Sequence, residues 1–315
     1  MKKILVGFLL IFFLFVASVF LFIPNSISIN HSVVLNITQE ALYRTLVNNK
    51  DWSHWWPGNF HTGDSINSTT LEYKDYQYHI TGRDFGQMLI SISGTNFFAK
   101  TSLISIPLKA DSLKLSWSSV IPTSYNPVKR LQVYLGFKQL DKNITTILEK
   151  IKTHFDKQQH TYGMQIHNEL VEYPLLISTF VELKNYPSID EVYAQIDKLQ
   201  KHIDSQSGKS VGYPMLNIFQ KDSAAWVLKV AIPTDKELQS AGDIFVKRML
   251  GGGKILMSEI KGGPATIKHA YQQMEYYVND HHYSAPAIPY ESLVTDRRIQ
   301  KDTAQWITRL YFPVM

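Results

Sequence analysis

The side chains best suited to chemistry lie in the C-terminal half: Glu291, in the run Pro289-Tyr290-Glu291, and the aromatics Tyr213, Trp226, Tyr271, Tyr290 and Trp306. A carboxylate among aromatic faces can do one of two things. It can hold a cation, with the rings adding cation–π attraction, or it can draw a proton from water once burial has raised its pKa. Two readings of Glu291 stay open on the residues alone: a solvated strand position, since glutamates are almost never buried unpaired, or an inward-facing ligand carboxylate. Each aromatic is likewise either a core residue or part of a ligand wall. Gly251-Gly252-Gly253-Lys254 reads as a turn rather than a phosphate loop, because Ile255, not Ser or Thr, follows the lysine. Asp296-Arg297-Arg298 reads as a solvated turn. His281-His282 has no partner at helical spacing and no H-E-x-x-H motif exists, so no metal site is expected. The absence of cysteine removes disulfides, thiolate ligands and cysteine nucleophiles. No G-x-S-x-G occurs, no cofactor is expected, and no catalytic residue is assigned.

Elements able to position such residues fit readily in 315 residues, which at about 150 per domain suggests two domains. An apolar fraction of 44% against 19% charged gives both a core. The net charge is +5, and two of those charges are Lys2 and Lys3, so clustered phosphate-binding cations are lacking and no nucleic-acid partner is expected. Those lysines precede Ile4 to Ile23, an uncharged run of 20 residues, long enough for the hydrocarbon core of a bilayer. The run ends Phe20-Leu21-Phe22-Ile23-Pro24 with no A-x-A-like site, which favours a retained anchor over residues 1–24 to a cleaved signal peptide. The lysines place the N-terminus in the cytoplasm and the rest outside, periplasmic in a Gram-negative cell. Asn36, Asn67 and Asn143 begin N-x-[ST] triplets, but the expectation is no glycan.

Residues 28–158 read as a first soluble domain. Ser28 to Ile37 alternates as a strand does, and Thr38 can cap a helix through Leu46. A dense aromatic turn, Asp51-Trp52-Ser53-His54-Trp55-Trp56-Pro57, follows. Strand-like runs then span Thr70 to Thr81, Gln87 to Ser93, Lys100 to Leu108 and Ser112 to Val120. Ile144, Ile147, Leu148, Ile151 and Phe155 form one apolar face of a closing helix from about Pro127 to Gln158. With the Trp52/Trp55/Trp56-Pro57 motif, this order resembles the START-like helix-grip superfamily (SRPBCC, polyketide cyclase and lipid-transport type). The resemblance implies a curved antiparallel sheet around the long helix, with an apolar cavity between them. The tryptophans themselves read first as core and rim packing.

Residues 164–315 carry an internal repeat. Ala225-Trp226 to Pro233 matches Gln305-Trp306 to Pro313 at a constant offset of 80, and Tyr213-Pro214-Met215-Leu216 answers Ile288-Pro289-Tyr290-Glu291. Upstream, Pro174 to Leu183 leads to a capping box, Ser188-Ile189-Asp190-Glu191, and a helix to about His202; Lys254 to Ile260 leads through Gly262-Gly263-Pro264 to a helix ending near Val278. Each half is therefore strand, helix, strand, strand, and the two should pair pseudo-symmetrically. Gly262-Gly263-Pro264, Ala270-Tyr271, Pro289-Tyr290-Glu291 and the closing Trp306 to Pro313 make this segment resemble the gyrase-inhibitor-like (GyrI-like) effector-binding domain of bacterial transcription activators. The resemblance implies a ligand cleft between the repeats, lined by aromatics, with an acidic residue at the position of Glu291 facing organic cations. In this chain Ser292-Leu293 replaces the family's common aromatic after that glutamate, which leaves ligand preference open. The two soluble domains leave no room for a helix-turn-helix after the anchor.

The expected fold class is therefore α+β: an N-terminal transmembrane helix, a helix-grip domain and a duplicated ligand-binding domain. The expected function is binding of a small hydrophobic or cationic molecule at the cell envelope, with a second apolar ligand in the first domain as an option. Two alternatives stand beside it. One is a hydrolase of small electrophiles using Glu291; the other is a lipid carrier or partner-docking envelope protein working through the first domain.

Overall fold

A computed structural model describes residues 2–47, 49–61, 69–95, 97–222 and 225–315. The chain is α+β, with two antiparallel sheets, and it divides into two compact units, Met1–Thr161 and Tyr162–Met315.

The first unit opens with helix α1 (Lys2–Phe22), whose stretch Ile4–Phe22 is long and apolar enough to cross a membrane. Strand β1 (Ser26–Leu35) follows at once, then α2 (Gln39–Val47), where the Thr38 hydroxyl accepts from the Ala41 amide as the cap expected of it. Strands β2 (Asn59–His61), β3 (Thr70–Tyr73), β4 (Tyr76–Asp84), β5 (Gln87–Gly94), β6 (Phe97–Lys109) and β7 (Ser112–Pro122) complete a seven-stranded sheet in the order β1-β7-β6-β5-β4-β3-β2. The run expected as one strand from Thr70 to Thr81 is a hairpin: Lys74 has a positive φ of 53°, and Tyr73 pairs with Tyr76 across the turn. Helix α3 (Pro127–Phe155) begins at Asn126, whose side chain accepts from the amides of Val128 and Lys129, with Pro127 in the first turn. It buries Leu140, Ile144, Ile147, Leu148, Ile151 and Phe155, the apolar face read from the spacing together with one further turn. A short α4 (Gln158–Tyr162) ends the segment.

Aromatic packing fills this unit. Trp52, Trp55 and Trp56 are all buried, with ring centroids of Trp52 and Trp55 4.7 Å apart, so the tryptophan turn is core. A cavity between α2 and the sheet, lined by Leu42, Leu46, Met88 and Leu115 and by no residue of α3, holds about 20 Å3, room for roughly one water. Asn143 is fully buried on α3, so its triplet cannot carry a glycan; Asn36 is exposed, and Asn67 lies outside the described residues.

The second unit comprises β8 (His167–Leu170), β9 (Leu175–Leu183), α5 (Ile189–Ser205), β10 (Met215–Asp222), β11 (Ala225–Pro233), β12 (Ile244–Arg248), β13 (Lys254–Lys261), α6 (Pro264–Asp280), β14 (Tyr290–Leu293) and β15 (Ile307–Pro313). The sheet order is β12-β9-β11-β10-β14-β15-β13-β8. The capping box of α5 is complete: the Ser188 hydroxyl accepts from the Glu191 amide, and the Glu191 carboxylate accepts from the Ser188 amide at 2.8 Å. Gly262, at φ 148°, makes the turn into α6, where a Cβ would come within 2.8 Å of the Thr266 hydroxyl. Strand alternation gives the sheet two distinct faces. Leu228, Val230 and Ile232 of β11 pack with Val192, Ile196 and Leu199 of α5, while Lys229 and Ala231 point the other way. Gly251-Gly252-Gly253 is a turn, closed by the Val171 amide on the Gly253 carbonyl at 3.0 Å.

Candidate functional site

Glu291 lies at the centre of the second sheet. It pairs with Leu216 of β10 on one side and Leu310 of β15 on the other, both fully or nearly fully buried. Its side chain therefore rises on the helix-covered face and is only 14% exposed. Burial pushes its pKa above the ordinary carboxylate value, and the neighbouring Arg297 pulls it partly back.

Arg297 is the partner that the sequence did not reveal. Asp296 and Arg298 do form an exposed turn, with Arg298 also reaching Asp197, but Arg297 turns inward with its side chain 13% exposed. Its Nη2 donates to Glu291 Oε2 at 2.9 Å and to Thr308 Oγ1 at 3.0 Å. The guanidinium also sits 4.7 Å from the centroid of the Trp306 ring, which is itself buried. Its backbone amide donates to the Tyr193 hydroxyl at 2.7 Å. A planar cation is thus held by a carboxylate below, a hydroxyl beside it and an indole face across from it.

Two tyrosines share this electrostatic neighbourhood. Tyr271, on α6, packs against Phe312 at 5.6 Å; burial drives its phenol far above the usual range, and Glu291 and Tyr186 drive it further. Tyr186, just before α5, is raised by burial and by Glu291, against the opposing charge of Arg297. Trp226 meets the edge of Tyr186 at 5.2 Å. Of the residues expected to form a site, Glu291, Trp226, Tyr271 and Trp306 thus come together, with Tyr186, Tyr193, Arg297 and Thr308 added. Tyr290 and Tyr213 do not join them. Tyr290 neighbours Glu291 in β14, so alternation turns it to the opposite face, where it stacks on Tyr311 at 5.1 Å. Tyr213 is half-exposed beneath Arg309, 5.8 Å from its ring centroid.

His281 stacks on Tyr277 at 3.9 Å, and its Nδ1 lies 2.9 Å from the Tyr277 carbonyl; no group of three or more metal-ligating side chains occurs among the described residues.

No family model matches this chain, and no curated protein matches it. Among solved structures, the chain is similar to the EcmrR C-terminal domain, at 15% identity and a TM-score of 0.41 over 48% of this chain and 98% of that one. It is similar to a hydrolase from Listeria innocua, at 13% identity and a TM-score of 0.37 over 48% and 92%. It is also similar to a START superfamily protein from Mycobacterium smegmatis, at 11% identity and a TM-score of 0.31 over 41% and 97%.

Proposed function

We propose that this is a membrane-anchored small-molecule-binding protein whose C-terminal unit takes hydrophobic or cationic ligands at the Glu291 cluster. One observation carries the reading: a buried carboxylate already holds a planar cation against an indole face, the arrangement a ligand cation would need. Arg297 occupies that position, so a ligand cation binds by displacing it. The duplicated reading of the unit draws support from the strand order, in which β12-β9-β11-β10 is answered by β8-β13-β15-β14 about the Leu216–Glu291 pairing. Retention of the anchor is supported by contacts of its last turn: Val19 and Ile23 are buried, with Leu131, Tyr134 and Phe137 packed on their cluster, and Arg130 Nε donates to the Ile23 carbonyl at 3.0 Å. With the anchor in place, Lys2 and Lys3 favour an N-terminus in the cytoplasm and both units outside.

The test is titration of the full chain, in non-ionic detergent, with tetraphenylphosphonium and with tetraphenylborate, ions of like shape and opposite charge. Glu291→Gln removes the charge and keeps the shape. It should weaken tetraphenylphosphonium binding about tenfold, equivalent to roughly 1.4 kcal/mol, and leave or strengthen tetraphenylborate binding. Equal losses for both ions, or none for either, would return Glu291 to a structural role. A second reading, hydrolysis of small electrophiles, draws support from the upward push on Glu291, which suits a general base. Turnover of an activated ester that disappears in Glu291→Gln would establish it.

A further inference from the structure

On the face of the second sheet away from α5, a groove of about 640 Å3 crosses the strands. Its depth has a simple origin. Ser178 of β9 and Ala231 of β11 are directly paired and small, so the floor is low. Phe245 of β12 pairs with Ser178 on one side, and Met215 of β10 pairs with Ala231 on the other, so larger side chains make the walls. Phe180 stacks on Phe245 at 6.1 Å, and Ile288 and Tyr290 close the far end. From β12 to β14 the groove crosses five strands, and at about 4.8 Å per strand it runs roughly 19 Å. That is a trough for an extended apolar chain, and its volume lies in the range of ligand-binding cavities.

The charges that line it are of one sign. Lys229 and Lys247 both border the groove, and among the described residues no carboxylate lines it. Neither lysine is ion-paired among the described residues; each lies over a phenylalanine ring, Lys229 at 4.8 Å from Phe219 and Lys247 at 6.0 Å from Phe245. The contrast with other lysines of this unit is informative, since Lys221 of β10 is paired with Glu182 of β9, and Lys198 of α5 with Asp243. Two unneutralised ammonium groups beside an apolar trough attract an anion with a long apolar body and repel a cation of the same shape.

We propose that this groove binds a free long-chain carboxylate, with its chain along the Ser178–Ala231 floor and its head held by Lys229 or Lys247. The site is on the opposite face of the sheet from Glu291 and has the opposite charge preference, so the two readings stand or fall separately. The test uses the full chain in membranes and three photoactivatable probes sharing one diazirine-bearing alkyl chain: the carboxylate, its methyl ester and its trimethylammonium counterpart. Labelled residues are mapped by mass spectrometry. The carboxylate should label the segments around 176–180, 215–217 and 245–249 at least tenfold more than the ammonium probe. Lys229→Gln with Lys247→Gln should cut that labelling about tenfold at an unchanged melting temperature. Ala231→Phe, which fills the floor, should abolish it for the ester as well. Equal labelling by carboxylate and ammonium would overturn the proposal. So would labelling confined to residues 4–22, or labelling by a diazirine-bearing anionic phospholipid that matches the free carboxylate, since that would assign the groove to a membrane surface.

Discussion

Replacing Arg297 by alanine isolates the energetics of the Glu291 site. In the intact protein the pair is about 13–14% exposed, with one 2.9 Å hydrogen bond between the partners. Removing one member of a buried pair strands the other charge, at a cost of about 3–5 kcal/mol. A domain of this size loses roughly 2–4 °C of melting temperature per kcal/mol, so Arg297→Ala should melt roughly 6–20 °C below wild type at pH 8. The pH dependence follows from the direction of the Glu291 shift. A carboxyl whose folded pKa lies above its unfolded value gives stability fully present below the unfolded pKa and lost as pH rises through the folded pKa. Without Arg297 the folded pKa moves further up, so the window of loss widens upward from the ordinary carboxylate value, and the deficit of the variant should shrink as pH is lowered. Adding Glu291→Gln to Arg297→Ala removes both charges and should restore most of the lost stability, giving a large coupling in the double-mutant cycle. Tetraphenylphosphonium should stabilise Arg297→Ala more than wild type, because it replaces the missing cation rather than competing with it. The assay is thermal unfolding of the full chain in non-ionic detergent at several pH values, with and without ligand. A loss below about 1 kcal/mol at pH 8, with no narrowing towards acid, would mean a solvated pair and no buried ligand site.

Two further outcomes follow from the first unit. His154 stacks with His160 at 4.7 Å and lies near His54, and burial, then those two rings, lower its pKa from 6.5 to about 4. The unfolded chain therefore binds the extra proton first: stability is full above pH 6.5 and falls as pH drops towards 4, a loss that denaturant titration should find reduced in His154→Gln. The N-terminus of the mature protein should remain at or near Met1 and the protein should resist carbonate extraction; a soluble chain beginning near Asn25, read by N-terminal sequencing, would refute the anchor.

What could be read in advance was local. The Ser188–Glu191 capping box, the Thr38 cap and the apolar face of α3 each depend on side chains within one or two turns, and their spacing states the geometry directly. Short edge strands leave no such trace: β2, β8 and β12 have 3, 4 and 5 residues, too few for alternation to stand out, and β8 and β12 pair with strands distant in sequence. The site divides in the same way. Leu216, matched to Glu291 by the sequence pattern, is its direct strand partner, and the burial of Leu216 marks the position as inward-facing. Tyr290 and Glu291 are adjacent in one strand, so strand alternation alone keeps a single cleft from holding both side chains. Arg297 is a different case. Asp296-Arg297-Arg298 has the composition of a solvated turn, and for Arg298, paired with Asp197 and Asp296, that is what it is. Only the three-dimensional course of the loop distinguishes the middle residue, which reaches Glu291, Thr308 and Trp306 at once. A buried carboxylate implies a compensating partner on energetic grounds alone, but which of two adjacent arginines supplies it is decided by the direction of one side chain, and composition carries no record of direction.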